Sequence, residues 1–158
     1  MMRRSAIMVL ALAGVLANCS RVSYVPSKSV DHAGIEGEPM PLDSTDPKYD
    51  KRYDDYFKRI RGMIKKQWAY PCVKHSFRPC EYLDADLVLE FGILKDGRVP
   101  YVIVEKPFLY VVYNEYAVKA VRTAAPFPPV PEVLLCERKG LSIRAAFRYV
   151  LIQPYGYF

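Results

Sequence analysis

Four cysteines and two histidines have the widest chemical repertoire in this chain of 158 residues. Cys72, His75 and Cys80 share one short stretch, and Cys136 lies far downstream. Thiolates with an imidazole are familiar ligands of tetrahedral zinc. Cys-x2-His with a long gap to the next ligand is not a usual zinc spacing, however, and export, argued below, favours paired over free thiols. Cys72 and Cys80 are therefore expected to form a disulfide that staples the first helix to the first strand. A bridge from Cys136 to either one stays open, and no metal is expected. His32 stands among prolines, glycines and acids, and Asp84 and Asp86 read as solvated charges flanking a strand. No nucleophile elbow, phosphate-binding glycine loop or His-Glu-x-x-His pair occurs. Neither a catalytic residue nor a cofactor is expected.

The remaining cysteine, Cys19, closes the N-terminal segment. Met1-Met2-Arg3-Arg4 is a basic opening, and Ser5 to Ala17 is a run of small and aliphatic residues. A membrane-spanning helix needs about 20 apolar residues, so residues 1–18 read as a secretory signal peptide. Leu16-Ala17-Asn18-Cys19 resembles the bacterial lipobox, which implies lipidation of Cys19 as the first mature residue. Asn18 departs from the usual Gly, Ala or Ser, and ordinary cleavage after Ala17 is the alternative. Ser20 is compatible with sorting to the outer membrane. Export removes nucleic acid from the expected partners, although the net charge is +6. That charge is concentrated in residues 48–158, where it suits acidic proteins or lipid headgroups.

Residues 19–47 carry Pro26, Pro39, Pro41 and Pro47 without a sustained period and read as a flexible tether. From Tyr53 the pattern changes. Tyr53, Tyr56, Phe57, Ile60, Met63, Ile64 and Trp68 recur at helical spacing, opposite Lys58, Arg59, Arg61, Lys65 and Lys66. Pro71 ends this helix. Leu87, Leu89, Phe91 and Ile93 then alternate as one face of a strand, and Asp96-Gly97 marks a hairpin into a return strand, Val99 to Val104. Pro100 places that return strand at a sheet edge. A second helix is expected over Glu115 to Ala125, with Asn114 as its N-cap and Ala117, Val118, Ala120, Val121, Ala124 and Ala125 as a slim apolar stripe. The last strand is expected from Leu141 to about Ile152.

The predicted fold class is α+β. It is a small α-β-β-α-β domain over residues 48–158, with a three-stranded antiparallel sheet in the order 2-1-3 and two helices on one face. The third strand would then be an open edge, and a sheet with open edges also allows a homodimer by strand exchange.

From Tyr56 to Val150 the chain resembles the TonB/TolA C-terminal domain family. Trp68-Ala69-Tyr70-Pro71 is similar to that family's "W-x-Y-P". Leu87-Val88-Leu89-Glu90-Phe91 with Asp96-Gly97-Arg98-Val99 is similar to its first strand and "DG-x-V" turn. Ala117-Val118-Lys119-Ala120-Val121 with Ala124-Ala125-Pro126-Phe127-Pro128-Pro129 is similar to its second-helix signature. Glu105-Lys106-Pro107 stands where the family often has "S-S-G", and Cys72 to Tyr82 replaces a glycine-ended turn. The energy transducers of that family carry an uncleaved anchor helix and a long spacer, and the N-terminal pattern here matches neither.

The resemblance implies a non-enzymatic protein-interaction module of the Gram-negative envelope. It would face the periplasm, anchored by lipid on Cys19 to the outer membrane, and its partners would be envelope proteins. An extended partner segment would add to the third strand at Leu141, Ser142, Ile143, Arg144, Ala146, Arg148 and Val150. The alternative is a structural subunit of an envelope-spanning transport or motility complex, in which the domain only packs.

Overall fold

The computed structural model describes residues 31–151. The expected signal peptide, the lipidation site at Cys19 and the aromatic C-terminal end lie outside the described residues. Within them the chain is α+β. In order, the elements are β1 (Met40–Pro41), a 3-10 turn (Lys51–Tyr53), α1 (Asp54–Gln67), β2 (Val73–His75), β3 (Arg78–Glu81), β4 (Ala85–Leu94), β5 (Val102–Lys106), α2 (Val111–Ala124), the short α3 (Glu132–Leu135) and β6 (Gly140–Tyr149).

The main sheet has four strands, not three, in the order β1-β6-β4-β5. Its centre is the expected arrangement: the hairpin β4-β5 with β6 antiparallel to β4, in continuous register from Ala85↔Tyr149 to Leu94↔Gly140. The correction lies at the two ends. The expected tether supplies β1, which pairs in parallel with β6 at Met40↔Ile143 and Pro41↔Arg144. The expected loop between α1 and β4 is itself a separate two-stranded sheet, β2-β3.

The alternation of β4 and β6 decides where the core sits. Leu87, Leu89, Phe91 and Ile93 point to the same face as Leu141, Ile143, Ala145, Phe147 and Tyr149, and all are buried. Against them lie Tyr56, Phe57, Ile60 and Ile64 of α1 and Tyr113, Ala117, Ala120, Val121 and Ala124 of α2, forming one continuous cluster. The small residues of α2 let that helix approach the sheet closely. Burying one large aliphatic side chain contributes about 1.5–3 kcal/mol, so this face dominates the stability.

The turn after β4 uses Gly97 at φ +90°. Its N–H donates to Leu94 O (2.8 Å) and its carbonyl accepts from Phe127 N (2.9 Å). A Cβ there would sit 1.8 Å from Phe127 O, so only glycine fits. Helix α2 starts at Val111, ahead of the expected Glu115. Asn114 is not its N-cap but a buried residue inside it, and its side-chain amide clasps both the N–H (2.9 Å) and the carbonyl (3.0 Å) of Phe108. The loop before α2 is held by a side chain reaching back from within the helix.

Candidate interaction edge

The candidate site is the outer edge of β6 and the wall of α1 beside it. Arg144 O accepts a hydrogen bond from Leu42 N at 2.8 Å. Since backbone groups alternate sides along a strand, Ala146 and Arg148 present theirs to that same side. β1 covers the register only at Ile143 and Arg144. Among the described residues, no strand pairs with β6 beyond that point on this side.

Of the residues expected to meet a partner, Leu141 and Ile143 are core residues. Arg144 is capped by β1 and paired through Nε with Glu105 at 2.7 Å. Ser142, also expected to meet the partner, is buried. The cause is Gly92: with no side chain there, Tyr101 and Ile35 close over the back of the sheet. The Tyr101 hydroxyl donates to Ser142 Oγ (3.0 Å), which donates to Glu90 Oε1 (2.9 Å), and His32 Nε2 lies 3.7 Å from the same carboxylate oxygen. His32, read in the sequence as a tether residue, is thus 7% exposed. Ala146, Arg148 and Val150 are exposed, and Arg148 Nε donates to Asp86 at 3.0 Å.

Beside the uncovered part of β6 lies a groove of about 260 Å³, lined by Leu42, Asp43, Arg61, Ile64, Lys65, Trp68, Ala145, Ala146 and Phe147. Trp68 packs edge-on against Phe147 and Tyr149, with ring centroids 5.1 and 4.9 Å apart. Arg61 ties the tether to α1. Its Nη1 donates to Leu42 O at 2.5 Å, its Nη2 lies 3.3 Å from Asp54 Oδ1, and its guanidinium covers Tyr49. Leu42 itself is 4% exposed. The site is therefore a short open strand edge and a small, mainly apolar groove whose charged lining is Arg61, engaged by Asp54 and Leu42 O, with Lys65 and the carboxylate Asp43. Sequence reasoning found the strand but missed the groove and β1, because a two-residue pairing containing proline leaves no periodic signal.

Cys72 and Cys80 form the expected disulfide, with their Cα atoms 5.6 Å apart. It closes the β2-β3 hairpin and staples its two strands to each other, not α1 to β4. His75, considered above as a metal ligand, lies 3.1 Å from Glu81 across that hairpin. Cys136 is not a free thiol. No helix among the described residues is long and apolar enough to cross a membrane. In comparisons with known proteins, no family model, curated protein or solved structure matches the chain.

Proposed function

We propose that this chain is a non-enzymatic protein-interaction module of the bacterial envelope that takes up an extended partner segment along the uncovered part of β6. The observation that carries the reading is the incomplete cover of that edge. The chain's own strand pairs with Ile143 and Arg144 and then turns away, leaving Ala145–Tyr149 beside an apolar groove. A strand edge offers backbone donors and acceptors in register, which supply affinity, while alternate side chains supply choice. The helix-side residues of the incoming segment would meet Ile64 and Trp68, and the other side would meet Ala146 and Arg148. Lys65 favours an acidic residue on its side of the groove, and Asp43 a basic one on the other. Export by residues 1–18 would place the module in the periplasm. The motifs similar to the TonB/TolA C-terminal family agree with the same role.

The test is photocrosslinking in intact cells from residues placed at Ala146 and Arg148, with Gly62 on α1 as the control position. Crosslinks should form from 146 and 148 and not from 62. Ala146→Pro removes one outward N–H without touching the β4 pairing, and should abolish crosslinking from 148 while shifting the melting temperature by only a few degrees. Undiminished crosslinking in that variant rejects strand addition. A permanent stoichiometric adduct that survives it supports the structural-subunit role instead.

A further inference from the structure

Most of the large apolar side chains left in solvent among the described residues gather at one end, Val133 on α3 being an exception at 56% exposed. Phe77 is 100% exposed, Leu109 83%, Val111 64%, Val150 53%, Tyr82 49% and Leu151 42%. The register puts the end of β6, with Val150 and Leu151 just beyond it, beside the start of β4. Tyr82 precedes that start, Leu109 and Val111 follow the end of β5, and Phe77 is the tip of the hairpin that leads into β4. β4 begins and β6 ends at the pair Ala85↔Tyr149, and β5 reaches the same end at Val88↔Lys106, just before the loop into α2. Tyr113 joins these pieces. Its hydroxyl accepts from Leu83 N (2.7 Å), its carbonyl accepts from the Tyr149 hydroxyl (3.3 Å), and Phe108 packs edge-on against its ring at 5.2 Å. Leu151 N donates to Asp84 Oδ1 at 2.6 Å, which fixes the end of β6 beside the start of β4.

The hairpin β2-β3 belongs to this end. Val73 at its base packs against the core, but no residue of the hairpin is itself buried. An isolated two-stranded hairpin is marginal in water, and here the Cys72–Cys80 bond holds it. Its tip is Phe77, next to Arg78 and close to Lys74, all exposed. A covalent staple on an element with so little to bury inside the domain fixes a shape that acts outside it.

We propose that this end of the domain rests in the interface of a phospholipid membrane. Three features select a lipid surface over a protein pocket. The apolar groups stand on separate tips: a hairpin turn, the β5-α2 loop with the first turn of α2, and the end of β6. The groove described above is lined by other residues. The composition is aromatic and aliphatic, the profile of residues that sit at headgroup depth. Lys74 and Arg78 stand beside the most exposed aromatic in sequence, where an ammonium and a guanidinium can meet phosphate oxygens, while Glu81 lies at the hairpin's base beside His75. The depth expected is shallow, about 5–10 Å into the headgroup and acyl boundary. This inference does not depend on strand capture at β6, which uses the Ala145–Tyr149 edge and shares only the neighbouring Val150 with it.

The test uses the full chain on vesicles of phosphatidylethanolamine and phosphatidylglycerol with brominated acyl chains, which quench tryptophan only on close approach. Three single variants are compared with the parent: Phe77→Trp, Leu109→Trp, and Val133→Trp on α3 at the opposite end. The comparison cancels any attachment made through the N-terminal apolar segment. The indoles introduced at positions 77 and 109 should be quenched about twofold or more above the one at position 133, as a shallow seat in the interface requires. Lys74→Glu with Arg78→Glu, introduced into the Phe77→Trp chain, should reduce that quenching toward the level at 133. All the substituted side chains are exposed, so folding is preserved, and circular dichroism checks it. Equal quenching at 77, 109 and 133, or none at any of them, overturns the proposal.

Discussion

The Asp54 carboxyl shows how one side chain can tie two segments together. It is held well down, at about 2, first by the hydrogen bond from Lys58 and then by those from the Tyr49 hydroxyl and Arg61. Tyr49 belongs to the segment before α1, so the same carboxylate anchors that segment to the helix and opposes the positive end of the α1 dipole. A carboxyl depressed in the folded state stabilises above its unfolded value and loses that contribution as pH falls through its folded value. The loss therefore runs from about pH 4 down to about pH 2. Asp54→Asn should flatten the acid limb in that window by lowering stability at neutral pH while leaving stability below about pH 2 nearly unchanged, as urea midpoints measured against pH will show. Gly97→Ala is the opposite case, with a severe and pH-independent effect. A methyl group there meets the Phe127 carbonyl at a positive φ, and urea unfolding should record a loss of about 3 kcal/mol or more. The Asp96-Gly97 turn was legible because its chemistry is local. The Asn114 clasp and the burial of Ser142 were not, since each depends on a residue that only folding brings near: Phe108 for one, Tyr101 for the other.

Among the elements, β4, β6 and both long helices could be read from period and punctuation, and their ends moved by only a few residues. α2 is the largest shift, because Val111 and Val112 look like extended chain until Asn114 is seen to hold the preceding loop. β1 and the β2-β3 hairpin could not be read. β1 is two residues long and contains Pro41, and the hairpin is polar, exposed and interrupted by Pro79. The energetic weight of β1 rests on Leu42, which follows it into the core beneath Arg61. Leu42→Ala should cost ~2–3 kcal/mol, at the lower end for a buried leucine because the segment can relax. It should also speed amide exchange at Leu42 and its neighbours in β1 while Leu87 and Leu89 stay protected. Exchange detected by NMR separates this local release from general loosening.

For the molecule as a whole, the sheet is assembled from distant parts of the chain. β6 lies between β1 and β4, so the strand made last joins the strand made first to the hairpin between them. A chain ending at Lys139 should therefore fail to fold and should aggregate, with light scattering rising on dilution from denaturant while the full chain refolds clear. It would retain the β4-β5 hairpin with one long apolar edge unmatched, a template for pairing with other chains. The candidate interaction edge also belongs to this scale, because a stretch of sequence read as a tether decides how much of β6 stays open. During ribosomal synthesis, the upstream segments cannot complete the sheet until the closing portion of the message has been translated. Until then Leu42 has no seat, and the young protein depends on its handlers for nearly its whole passage.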